Sequence, residues 1–127
     1  DYRDGYRLGA RRFDMGGLAQ FIHGPMAVDA LTQILEWGPA VIQAHTASLT
    51  AYAAEHAARA GFDVCAPDAR VGHIVGLRAT HGLPSDLRAR LAAARVYVSF
   101  RGDAVRVAPH LFNDTADVDR LLEVITA

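Results

Sequence analysis

The stretch Val96-Tyr-Val-Ser-Phe-Arg-Gly-Asp-Ala-Val-Arg-Val-Ala108 decides the fold of this 127-residue chain. Apolar and polar residues alternate on both sides of Gly102-Asp103, a pair that suits a two-residue hairpin turn. Glycine occupies the first position of the pair, as a type II′ turn requires. The pattern therefore predicts two antiparallel strands, at residues 96–101 and 104–108.

A two-residue turn also fixes which residues of the two strands face each other. The apolar residues fall on one side of the hairpin and pair as Phe100 with Val105 and Val98 with Val107. On the other side Ser99 faces Arg106. We expect the apolar side to pack on helices, which leaves Arg106 on the open face of the sheet.

The remainder of the chain predicts four helices and one more strand. The helices are expected at residues 21–37, at 39–60 between Gly38-Pro39 and Gly61, at 85–94, and from Asn113-Asp114 onward, where both residues are good N-caps. The strand is expected at 73–78, and 62–71 is expected to be a connector because Pro67 argues against a central strand. Residues 1–17 show neither a helical nor a strand period, so we expect an extended arm there. The resulting fold class is α+β, with a small, mainly antiparallel three-stranded sheet covered by helices.

The composition excludes several classes of protein. A net charge of −1 and a pI of about 6.6 exclude a strongly basic nucleic-acid-binding surface. No apolar run approaches the length of a membrane-spanning helix, about 20 residues. The single cysteine, Cys65, excludes an internal disulfide and suits a reducing compartment, so a cytoplasmic protein is expected. All 13 basic residues are arginine, which excludes a lysine Schiff base on this chain.

Among the polar residues, Arg106 is the strongest candidate for a functional site. The planar guanidinium fork matches a carboxylate through two parallel hydrogen bonds, although a solvent-facing arginine of a hairpin would look the same. Cys65 has no neighbouring base and is not expected to be a nucleophile. No metal site is expected, because none of the six histidines has a metal-ligand spacing. These are His23, His45, His56, His73, His81 and His110.

Several motifs resemble those of the class V aminotransferase-fold enzymes, which depend on pyridoxal phosphate (PLP). The run from Ser99 to Asn113, SFRGDAVRVAPHLFN, and the following DVDRLL at 117–122 resemble the C-terminal end of that family. The earlier RRFDMGG at 11–17, PMA at 25–27 and LEWG at 35–38 resemble the preceding part. The group most similar comprises the epimerase-like proteins, the cysteine desulfurases and the C–S lyases.

The resemblance implies roles for three residues. Arg106 matches the family's arginine that binds the α-carboxylate of the amino-acid substrate. Gly17 matches a position near the cofactor phosphate of the partner subunit, where many relatives have a threonine and this chain offers only a backbone N–H. Asn113 matches a family asparagine, and from the sequence we interpret it as an N-cap of the last helix.

The resemblance also implies that much of the enzyme is missing from this chain. The family's Schiff-base lysine and the other residues that hold PLP lie upstream, so no catalytic residue is expected here. The chain begins at Asp1 without a methionine, and we expect a tail of a large domain at residues 1–20 and the C-terminal small domain at 21–127. Alone it would be incompetent, whereas the parent would be a homodimeric PLP enzyme acting on an amino acid.

Two alternatives stay open at this stage. One is a stand-alone, non-catalytic module that binds small carboxylates or a partner protein. The other is one half of a split enzyme whose second half is a separate polypeptide. The bond that the parent cleaves, whether Cα–H, Cβ–S or Cβ–C, is open as well. If the chain is a fragment of a PLP enzyme or one half of a split enzyme, some of its apolar surface is exposed when it is isolated. We then expect the isolated chain to self-associate.

Overall fold

The computed structural model describes residues 5–14 and 21–127, and it divides the chain into two compact units, Asp1–Glu36 and Trp37–Ala127. In the first unit a short 3₁₀ helix, Gly9–Phe13, occupies part of the predicted arm. Helix α1, His23–Trp37, follows the apolar pattern that predicts it, yet none of its residues is buried. Large apolar side chains of α1 such as Met26 and Leu35 are exposed, and so is Ile22 just before the helix.

The second unit contains a four-stranded antiparallel sheet. Its strands are β1 (Phe62–Val64), β2 (Val75–Ala79), β3 (Ser99–Arg101) and β4 (Ala104–Val107), in the spatial order β1-β2-β4-β3. The three-stranded sheet expected from the sequence was therefore one strand short. The prediction that all of 62–71 is a connector is wrong. Its first three residues form β1, an edge strand that ends before Pro67.

The hairpin of β3 and β4 has the register that the sequence predicts. Ser99 pairs with Arg106, and Phe100 pairs with Val105. Gly102 has a φ of 59° while Asp103 does not have a positive φ, which is the pattern of a type II′ turn. Strand β2 lies on the other side of β4 and pairs antiparallel with it, so that β4 is an interior strand of the sheet.

Three helices pack with this sheet and with one another. Helix α2 (Pro39–Arg59) contacts β1, β2 and α4 (Thr115–Thr126), and α3 (Leu87–Ala93) contacts α4. The helices and the inward face of the sheet bury one apolar core. Its members are Leu49, Ala53, Ala54, Ala57, Val75, Leu77, Leu87, Leu91, Val105, Val107, Val118, Leu121, Leu122 and Ile125.

The helix ends follow the chemistry of their flanking residues. Helix α2 begins with proline at its first position, and Gly61 after its end has a φ of 91°, a left-handed conformation that suits glycine. The side chain of Tyr52 on α2 donates a hydrogen bond of 2.8 Å to Asp119 on α4, which ties the two helices together. In the described ranges, no helix has the length and apolar character needed to cross a membrane.

Candidate functional site

Arg106 lies in the middle of the sheet, on the face opposite the apolar core. Its strand neighbours Val105 and Val107 are buried, and successive side chains of a strand point to opposite faces. The sheet register places Gly76 of β2 on one side of Arg106 and Ser99 of β3 on the other. The structure therefore confirms that Arg106 occupies the open face of the sheet.

The residues around Arg106 are small. Gly76 and Ser99 are its direct cross-strand neighbours, and Ala104 precedes it on the same face of β4. A Cβ atom added to Gly76 would have no heavy atom within 4 Å. This part of the face therefore has room above the sheet for a small ligand next to the guanidinium.

The Nε atom of Arg106 is buried and has no hydrogen-bond partner. Among residues 5–14 and 21–127, none forms a hydrogen bond or an ion pair with this guanidinium. A buried donor without a partner costs roughly 1–3 kcal/mol, and native proteins satisfy nearly all such groups. Within the described residues, the Nε of Arg106 is therefore an unsatisfied buried donor.

Two further arginines lie on the same face, one row closer to the hairpin turn. Arg78 of β2 and Arg101 of β3 flank Ala104 of β4 from its two sides. Arg78 is neutralised by Asp103, because its Nη1 atom lies 2.8 Å and 3.0 Å from the two carboxylate oxygens. Arg101 is exposed, and in the part of the chain that the structure describes its side chain donates one hydrogen bond, to the carbonyl of its neighbour Phe100 at 3.3 Å.

Asn113 organises the loop between β4 and α4. Its Oδ1 accepts from the backbone N–H of His110 at 3.0 Å, and its Nδ2 donates to Asp117 at 3.0 Å. Its carbonyl lies 3.0 Å from Nε2 of His45 on α2. The interpretation of Asn113 as an N-cap is therefore wrong: it braces this loop against α2 and the first turn of α4.

Asp114 is the N-cap of α4. Its carboxylate accepts from the backbone N–H of Asp117 at 3.1 Å, and Asp117 accepts in return from the backbone N–H of Asp114 at 3.4 Å. The hydrogen bond from Asn113, followed by that from Asp114, holds the pKa of the Asp117 carboxyl below its ordinary value. This capping box fixes where α4 begins, after the loop 108–114 that follows the strand of Arg106.

A cavity of about 420 Å³ is lined by residues of the hairpin and of α4. Its walls include Val98 and Val107 of the apolar side and Val118 and Leu121 of α4. Arg106 does not line it. The walls also include Tyr97 and Ala108, just beyond the ends of β3 and β4.

The other residues considered from the sequence contribute less to a site. Gly17 lies outside the described residues. Cys65 is exposed in the loop after β1. The ring of exposed His110 packs near that of Phe112, with centroids 5.7 Å apart. In the part of the chain that the structure describes, no three histidine, cysteine or acidic side chains come together as a metal site would need.

Sequence reasoning identified Arg106 but missed the features that make it distinctive. One of its neighbours, Gly76 of β2, is 30 positions away in the chain and pairs with Arg106 only in the folded sheet. Arg101 carried a usable signal, because the hairpin count already puts it on the side of Ser99 and Arg106. That none of residues 5–14 and 21–127 forms an ion pair with it became visible only in the structure.

Comparison with known proteins identifies the fold. A structure titled NifS-like protein matches with a TM-score of 0.70 and 18% identity, over 95% of this chain and 36% of its own. The apo structure of a cysteine desulfurase from Thermococcus onnurineus NA1 matches with a TM-score of 0.72 and 21% identity, over 97% of this chain and 35% of its own. No family model and no curated protein matches the sequence.

Both structures have the class V, PLP-type aminotransferase fold, and this chain corresponds to their C-terminal part. The resemblance noted in the sequence is thus confirmed at the level of the fold. The chain spans about a third of the length of the two structures it matches.

Proposed function

We propose that this chain is the C-terminal part of a PLP-dependent enzyme acting on an amino acid, and that Arg106 binds the α-carboxylate of the substrate. The observation that carries the proposal is the buried, unpaired Nε of Arg106 on the open face between Gly76 and Ser99. The fold supports it as well, because the matched structures are about three times as long as this chain.

Arg106 would act by charge and by geometry. A guanidinium offers a carboxylate two parallel N–H donors, which fixes the plane of the carboxylate as well as its position. Because Arg106 is held in an interior strand, its backbone is fixed by β2 and β3 on both sides. Anchoring one end of the substrate in this way orients the bonds at its Cα, and such positioning contributes several kcal/mol to many reactions.

PLP would supply the electron sink for carbanion chemistry in the intact enzyme. The residues of this chain do not fit the covalent attachment of PLP, because the sequence contains no lysine. They fit the recognition of the substrate, which needs an arginine and open space beside it. The contribution we assign to this chain is therefore confined to binding and orienting the substrate.

The test is substitution of Arg106 in the full-length enzyme. Arg106→Ala is expected to raise KM and to lower kcat/KM about 100-fold, equivalent to about 2.7 kcal/mol. Arg106→Lys should recover part of this loss, because it restores the charge without the planar fork. Arg59→Ala is the matched control, since Arg59 is an exposed arginine of α2 paired with Glu55. An unchanged kcat/KM in Arg106→Ala would remove Arg106 from the substrate site.

A stand-alone module that binds small carboxylates without chemistry is the second candidate, because the same unpaired guanidinium would serve it. Intact-mass measurement of the protein made from its native gene separates the two. A species near 13.7 kDa favours the module or a split enzyme, and a much larger species favours the PLP enzyme.

A further inference from the structure

The open face carries a second guanidinium beside Arg106, that of Arg101, which has no ion pair with any described residue. Arg101 pairs with Ala104 across the hairpin, and Arg106 lies two residues further along β4 on the same face. Such diagonal neighbours have their Cα atoms about 7–8 Å apart, well within the combined reach of two arginine side chains. Both guanidiniums can therefore contact one small molecule.

Neither arginine is neutralised by the described residues. Arg101 makes no ion pair there, and Arg106 makes neither an ion pair nor a hydrogen bond. Arg78, the third arginine of the face, is paired with Asp103, both of whose carboxylate oxygens accept from its Nη1. Like charges at neighbouring positions of a sheet repel, so two unpaired arginines form a surface that favours a doubly anionic ligand.

We propose that Arg101 binds a second acidic group on the substrate. The substrate would then be an amino acid with an acidic side chain. The inference rests on the proposed function, in which Arg106 binds the α-carboxylate. Ala104 and Ser99 lie between the two arginines on this face, and neither is large enough to separate them. The α-carboxylate would lie on Arg106 in the interior of the sheet, and the side-chain anion would extend toward the turn.

The test compares two probes of equal carbon number, glutarate with two carboxylates and pentanoate with one. Their binding to the 127-residue chain is measured by NMR titration at low ionic strength, with the arginine Nε–Hε resonances as reporters. We expect glutarate to bind about tenfold more tightly, the effect of one added charge-assisted contact. The Arg101 resonance should move with glutarate and stay in place with pentanoate.

Three variants separate the roles of the arginines. Arg101→Gln should abolish the preference for glutarate and leave pentanoate binding unchanged. Arg106→Gln should weaken the binding of both probes. Arg59→Gln, with the same change of charge on an exposed surface of α2, should alter neither affinity.

The outcomes distinguish this inference from the function on which it rests. Equal affinity of the wild-type chain for the two probes, or a preference for glutarate that survives Arg101→Gln, overturns the role of Arg101. Pentanoate binding that is unaffected by Arg106→Gln contradicts the proposed function itself. An equal weakening of both probes by Arg101→Gln overturns the assignment too, because it shows a general effect of charge.

Discussion

The two faces of the sheet are built from neighbouring residues of the same strands, yet they obey different rules. On one face Val75, Leu77, Val105 and Val107 are buried under the helices. On the other face, Arg106 of β4 pairs with Gly76 of β2. None of the described residues gives the Arg106 guanidinium an anionic partner. The covered face is optimised for packing, whereas the open face retains an unsatisfied donor, which is a feature of binding sites.

The strongest test of this difference compares Leu77→Ala with Gly76→Ala. Leu77 has no exposed surface, so removing its side chain leaves a cavity, and the free energy of unfolding should fall by about 2–5 kcal/mol. The adjacent Gly76 has open space where a Cβ would be added. Its replacement by alanine should leave the stability unchanged or raise it by about 0.5 kcal/mol, since glycine weakens strands. Urea denaturation measures both, and equal losses would show that the two faces do not differ.

The next effect concerns α4, one of the helices of the apolar core. Asp114→Ala removes the carboxylate that accepts from the backbone of Asp117, and the free energy of unfolding should fall by about 1 kcal/mol. Glu123→Ala is the control, because Glu123 is an exposed residue of the same helix. If the two variants were equally stable, the capping box would not contribute to the stability of the covered face.

The sequence predicted the elements that depend on local patterns. Alternation around Gly102 fixed the hairpin and its register, and Gly61 marked the end of α2. Strand β1 was not predicted, because its three residues, Phe62–Val64, are too few to show a period. The sequence predicted Asn113 and Asp114 equally well as the N-cap of α4, because both residue types cap helices well. Which backbone groups each side chain contacts is decided by the fold.

The site was predictable to a smaller extent than the fold. The hairpin count placed Arg106 on the open face, because both strands are adjacent in sequence. The neighbour on its other side, Gly76, comes from β2, and pairing between distant segments depends on the packing of the whole core. The unpaired state of Arg106 follows from that packing and could not be inferred from local spacing.

On the open face, the substitution that removes the proposed carboxylate-binding arginine should improve stability. Arg106→Met removes the buried, unpaired Nε and keeps a flexible apolar side chain over the sheet, so the free energy of unfolding should rise by as much as about 1 kcal/mol. Arg59→Met, on an exposed part of α2, should change it little. Urea denaturation of the two variants gives the comparison. A loss of stability in Arg106→Met would mean that the arginine contributes to the fold, against its assignment as a binding residue.

The smallest effect is the dependence of stability on pH that Asp117 introduces. Hydrogen bonds from Asn113 and Asp114 lower the pKa of this carboxyl in the folded protein, so folding favours its ionised form. The stabilisation is complete above the unfolded pKa of an aspartate, about 4, and is lost as the pH falls through the lower pKa of the folded state.

Asn113→Ala removes the largest cause of this pKa shift, and the melting temperature should then depend less on pH below about 4 than in the wild-type chain. Asp117→Asn should reduce the dependence further, because it removes the titrating group. Thermal melts of the three proteins from about pH 5 downward measure these slopes. Identical slopes in the wild type and Asn113→Ala would show that the amide does not stabilise the carboxylate. The loop after Arg106 would then owe its order to the capping box and His45 instead.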